Sequence, residues 1–167
     1  LMARRLVERG VRFVQLYYGN GQPWDTHSNH DATTRRLAAD IDRPIAALLA
    51  DLKQRGMLED TLIVWGGEFG RTPFGQGDPA NRKGRDHFGR AYSWWMAGGG
   101  IQGGRSLGAT DDFSYNIIAD PVKISDINHT ILHCLGIDNR KMSVKFQGLD
   151  ARITGVEDSR LLHEVLA

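Results

Sequence analysis

Apolar residues at helical spacing, Leu37, Ile41, Ile45, Leu48, Leu49 and Leu52, follow Asp31 and run to a stop at Gly56. Two strand-like segments bracket this helix. Residues 11–18 (VRFVQLYY) are β-branched and aromatic, and residues 61–65 (TLIVW) are almost wholly apolar, as in a strand buried on both faces of a parallel sheet. Strand, long helix and buried strand make a βαβ pattern. It predicts an α/β fold with a mostly parallel sheet, right-handed crossovers and helices on both faces. Pro44 lies inside the helix and predicts a local bend.

Around this centre, residues 1–10 read as a helix closed by Gly10, and residues 90–97 as a strand ending in the Gly98-Gly99-Gly100 turn. Residues 125–135 read as a helix capped by Ser125 and closed by Gly136. The tail, residues 143–167, reads as a short strand pair and a terminal helix from about Glu157. Residues 1–167 are expected to form a single α/β domain. The opening in mid-helix makes it the expected C-terminal part of a larger one.

Composition narrows the partners. Lys and Arg total 21 against 20 Asp and Glu, a net charge of +1, so no sign bias selects nucleic acid. The longest apolar run, residues 45–50, is far below the roughly 18 residues a membrane-spanning helix needs. No membrane insertion is expected. A single cysteine, Cys134, excludes an internal disulfide and a thiolate metal cluster. Glycine is enriched, 20 of 167 residues, and is concentrated between Gly66 and Gly108, which marks loop territory.

In parallel sheets, ligands gather at the carboxyl ends of the strands. Two polar loops are expected at that edge. The first holds Asp25, His27 and His30, and the second carries Glu68 and, further on, Asp86-His87. Imidazoles and carboxylates without thiolates suit zinc, manganese, iron or magnesium. Asp25 capping a turn and Asp31 capping the helix are the plainer alternatives for these residue types. Arg71, Lys83, Arg85 and Arg90 offer cations to an anionic substrate in or beside the glycine-rich loop. His129 and His133, four apart on a helix, lack an acidic companion and are read as packing or capping residues.

The run 24–27 (WDTH), the long helix, residues 61–73 (TLIVWGGEFGRTP), residues 84–88 (GRDHF), residues 95–100 (WMAGGG) and residues 126–136 (DINHTILHCLG) closely resemble the sulfatase-like family called domain of unknown function fifteen-oh-one. The resemblance implies an alkaline phosphatase/sulfatase-like fold, incomplete at its N-terminus. It also implies a metal-dependent hydrolase of phosphate or sulfate esters on a small-molecule or carbohydrate substrate. Asp25 with His27 or His30, Glu68 and His87 stand at the implied ligand positions, for a divalent metal among zinc, manganese, iron, calcium and magnesium. Arg71 and Arg85 are the substrate-binding candidates.

The resemblance also carries two departures. Where the alkaline phosphatase superfamily, of which the resembled family looks like a branch, reads Asp-His-Gly, this chain has Glu68-Phe69-Gly70, with a phenyl ring in place of an imidazole. The superfamily nucleophile belongs to an upstream strand, so the chain is expected to supply part of the metal site without the nucleophile and to turn over little by itself. Export behind a twin-arginine leader is a further implication. A non-catalytic binding or scaffold module that keeps the fold is the alternative from a different class. Oligomeric state is left open.

Overall fold

Glycine ends the three described α-helices in the same way. In the computed structural model, which describes residues 1–80 and 83–167, α1 (Met2–Glu8), α2 (His30–Gln54) and α3 (Ile124–Cys134) are followed by Gly10, Gly56 and Gly136 at φ of 86°, 67° and 72°. The amides of these glycines donate to the carbonyls of Val7, Lys53 and His133. The next amides, of Val11, Met57 and Ile137, donate to Leu6, Leu52 and Leu132. This is the Schellman pattern, which satisfies carbonyls that a helix end otherwise orphans, and it needs a left-handed residue that glycine supplies without strain.

The long helix α2 keeps its expected extent, starts at His30 and runs on through Pro44. Leu37 and Leu52 on its apolar stripe are 1% and 2% exposed. Each such burial stabilises the fold by about 2–3 kcal/mol. The exposed residues of α2 lie on the remaining positions, as the amphipathic pattern requires.

The sheet differs from the expected one. In place of a mostly parallel sheet flanked by helices, the described strands form four separate antiparallel pairs: β1 (Ile63–Trp65) with β4 (Trp95–Ala97), β2 (Gly70–Arg71) with β3 (His87–Phe88), β5 (Ala109–Thr110) with β6 (Ile117–Ala119), and β7 (Ser143–Phe146) with β8 (Leu149–Arg152). Two physical reasons account for the correction. Residues 11–18 form no strand. Phe13, Leu16 and Tyr17 are 70%, 71% and 84% exposed, so their β-propensity finds no neighbouring strand against which to act. Between β1 and β4, moreover, no described segment is helical, and a parallel return requires a crossover of that kind.

The chain divides into two compact units, Leu1–Leu58 with Phe69–Tyr92 and Glu59–Glu68 with Ser93–Ala167. In the first, buried Arg4 of α1 pairs with Glu8 and, at 2.9 Å, with Asp51 of α2, which Arg55 also holds at 2.8 Å. β2 and β3 lie in this unit, with Arg71 opposite His87 in register.

In the second unit, Ile127, Leu132 and Leu162 form the buried apolar set. Fully buried Thr130 donates its hydroxyl to the Asp126 carbonyl at 2.8 Å and accepts the Leu162 amide at 3.2 Å. Trp94 lies flat where a Gly66 side chain would be, and its indole N–H donates to the Gly67 carbonyl at 3.0 Å. Trp65 and Trp95 stack with centroids 6.3 Å apart.

Three expectations for this unit change in detail. The strand over 90–97 is confined to Trp95–Ala97. Helix α3 begins at Ile124, with the Asp126 carboxylate accepting the Lys123 amide at 3.0 Å, so Ser125 lies inside the helix and is not its cap. The terminal helix reduces to a 3-10 turn, His163–Val165. The expected strand pair forms as β7 and β8 around Gln147-Gly148, both at positive φ, the geometry of a tight hairpin turn. No described helix is long and apolar enough to cross a membrane.

Candidate metal centre

A backbone clamp in the first unit brings distant ligands together. The loop before α2 runs along residues 83–85, with the Arg85 amide donating to the Thr26 carbonyl at 3.0 Å and the His30 amide to the Lys83 carbonyl at 2.7 Å. Between these bonds, Gly84 lies so close that a Cβ there would be 1.8 Å from the His27 carbonyl oxygen. Thr26 points inward, 4% exposed, and its hydroxyl is 2.5 Å from His30 Nδ1. Asp25 and His27, flanking Thr26, are left for the other side, where β3 delivers His87.

There the three side chains converge. Asp25 Oδ1 is 3.0 Å from His87 Nε2 and 3.0 Å from His27 Nε2, and the two imidazole nitrogens are 3.2 Å apart. Among the described residues this is the one group of three or more His, Cys, Asp or Glu donors close enough to share an ion. Donors bound tetrahedrally at about 2.0–2.2 Å are separated by about 3.3–3.6 Å, so the observed triangle needs only a few tenths of an ångström to accept a metal. Its donor set, two imidazoles and a carboxylate, is the chemistry of zinc, manganese and iron sites more than of calcium or magnesium, which prefer all-oxygen ligands.

The surroundings orient these donors. Gln76 Oε1 is 2.8 Å from His27 Nδ1, and Asp86 Oδ1 is 3.8 Å from the same nitrogen. The Phe69 ring packs on His87 with centroids 4.5 Å apart, and the Arg71 guanidinium is 5.8 Å from the Phe69 centroid. Arg71 Nη1, buried, is ion-paired with Asp25 Oδ1 at 2.6 Å.

The His87 imidazole and then the Arg71 guanidinium hold the Asp25 carboxyl below the usual carboxylate range. Because the folded value is depressed, the stabilisation from ionised Asp25 is full above the ordinary range and is lost as the pH falls through the lowered value. Asp25 is therefore an anion at neutral pH.

Of the residues singled out from sequence, Asp25, His27 and His87 come together, with Arg71 beside them. His30 turns inward to Thr26, and burial followed by the nearby Arg85 lowers its pKa. Arg85 donates to the Thr72 carbonyl at 3.0 Å. Glu68 is an exposed residue of the second unit. His129 Nδ1 is held by the carbonyl and hydroxyl of Ser159 at 3.1 and 3.2 Å, and His133 is exposed.

Sequence reasoning passed over Gln76 and the contact of Phe69. The replacement of an imidazole by Phe69 was the only signal for the second, and nothing in the sequence marked the first.

These features define a protein with a histidine–carboxylate centre suited to a divalent metal. The chain belongs to the family described as Protein of unknown function (DUF1501), which it matches over residues 1–166. That membership by itself ties it to neither sulfatases nor alkaline phosphatases. No curated protein and no solved structure matches the chain.

Proposed function

We propose that Asp25, His27 and His87 hold a divalent transition metal, and that this centre serves the hydrolysis of phosphate or sulfate esters on a small molecule or carbohydrate. The observation that supports it is the triangle of three donors, 3.0–3.2 Å on each side, assembled from segments about sixty residues apart. A metal bound there supplies Lewis-acid polarisation of an ester oxygen and a lowered pKa for coordinated water. Asp25 contributes negative charge that offsets the cation, and His27 and His87 contribute neutral lone pairs.

Arg71 extends the reading to an anion. Its guanidinium, ion-paired with Asp25 at 2.6 Å, places positive charge beside the triangle that a phosphoryl or sulfuryl oxygen can share. One observation favours a second reading, a metal-holding module without turnover. Among the described residues no serine, threonine or cysteine side chain is hydrogen-bonded to the three donors.

Calorimetric titration of the zinc-loaded chain with inorganic phosphate and sulfate tests the proposal. Binding is expected to require zinc and to weaken tenfold or more in Arg71→Ala, the equivalent of one charge-assisted hydrogen bond of about 1.5–3 kcal/mol. Anion binding indifferent to both zinc and Arg71 would contradict the ester reading. Release of nitrophenol from its phosphate or sulfate ester by the same protein separates hydrolysis from binding alone.

A further inference from the structure

A neutral imidazole carries one proton, and where it sits decides whether the other nitrogen can ligate a metal. If the proton of His27 is on Nε2, it is spent toward Asp25 Oδ1 at 3.0 Å or His87 Nε2 at 3.2 Å, and His27 offers the triangle no lone pair. If it is on Nδ1, the lone pair of Nε2 faces the other two donors. We infer that Gln76 makes this choice. Its Oε1, 2.8 Å from Nδ1, accepts the Nδ1–H of His27 and so holds the ring in the tautomer that can bind a metal. Gln76 is a positioning residue, and the inference rests on the metal reading above.

The metal reading and the nearby Asp86 favour that direction, and the backbone around Gln76 holds the pair together. Oriented the other way, the Gln76 amide would donate to Nδ1 and force the proton onto Nε2, against the cation the triangle is suited to hold. The Asp86 carboxylate, 3.8 Å from Nδ1, favours a positive hydrogen at that nitrogen and disfavours a bare lone pair. The Gln76 backbone amide donates to the Gly84 carbonyl at 2.7 Å, and the Gly84 amide returns a bond to the Gln76 carbonyl at 3.3 Å. Gly84 in turn presses on the main chain of His27. Gln76 is thus mounted on a bridge already locked to the residue it orients, and little backbone freedom remains to be lost when the bond forms. Partners of this kind, on the far nitrogen of a ligating histidine, typically change metal affinity by about 10–100-fold.

The test combines zinc titration of the wild-type chain, Gln76→Ala and Gln76→Glu with nitrogen-15 correlation spectra of the His27 ring in the metal-free protein at about pH 8, above the ordinary histidine range. The expected results are an Nδ1–H tautomer in the wild type, a loss of zinc affinity of about 10–100-fold in Gln76→Ala, and recovery of wild-type affinity in Gln76→Glu, which restores an acceptor. A fold merely damaged by truncation would not be rescued in this way. Wild-type affinity in Gln76→Ala, or an Nε2–H tautomer in the wild type, would overturn the inference while leaving the metal reading standing. Wild-type protein that takes up no zinc would overturn both, and the wild-type titration alone distinguishes that case.

Discussion

His87→Ala weakens zinc binding by the chain about 100-fold or more while leaving the metal-free protein folded. His87 is the only donor of the triangle that does not come from the loop before α2, so its loss leaves a carboxylate and one imidazole on a single short segment. Structural zinc sites with four ligands are worth about 10–16 kcal/mol, or about 3 kcal/mol for each ligand, so affinity is expected to fall about 100-fold or more. The metal-free protein loses little, because the His87 side chain is 49% exposed and its contacts with Asp25, His27 and Phe69 are therefore screened by solvent.

Thermal unfolding with and without zinc reads both effects. A ligand that binds only the native state stabilises it in proportion to the logarithm of its concentration over its Kd. The wild type should gain stability with zinc, and His87→Ala should gain far less at the same concentration. His129→Ala, on α3 and bound to Ser159, is the control and should gain as much stability from zinc as the wild type does.

Gly84→Ala acts on the same site through the backbone and has the larger effect on folding. Its new methyl would lie 1.8 Å from the His27 carbonyl oxygen and 2.4 Å from the carbonyl carbon, and neither can swing aside as a side chain would. The strand-like run 83–85 must separate from the loop before α2, at the expense of the bonds from Arg85 to Thr26 and from His30 to Lys83. Overpacking of this sort costs about 1–3 kcal/mol, and the two strained hydrogen bonds add about 0.5–1.5 kcal/mol each. Denaturant unfolding should show a lower midpoint and zinc titration a weakened site, since His27 moves with its own carbonyl. Gly89→Ala, where a Cβ meets nothing within 4 Å, should change neither.

Local chemistry was legible in the sequence wherever neighbours along the chain decide it. The three glycine stops, the extent of α2 and the β7–β8 hairpin follow from residues within one turn of each event. The antiparallel pairing was not legible and a parallel sheet was expected in its place, because strand pairing is decided by residues distant in sequence. Residues 11–18 have the composition of a strand and lie exposed, whereas β1 pairs in the antiparallel sense with a segment thirty residues on.

The candidate metal centre divides along the same line. Asp25, His27 and His87 announce themselves by residue type. The sequence could not choose between His27 and His30, because that choice depends on Thr26 turning inward and taking His30 with it. Gln76 and Phe69 have no sequence signature as supports, and their roles appear only once the Gln76–Gly84 bridge and the packing of Phe69 on His87 are in place. Glu68 and Arg85 match the resemblance by position, yet one is exposed in the other unit and the other is engaged with Thr72.

The central claim is that Asp25, His27 and His87 form a single metal site, and X-ray absorption at the zinc edge of the loaded chain tests it most directly. The account predicts one zinc per chain with two imidazole nitrogens and a carboxylate oxygen at about 2.0–2.2 Å, and the loss of one imidazole from that shell in His87→Ala. A zinc shell that is unchanged in His87→Ala, or no bound zinc in the wild type, would contradict it.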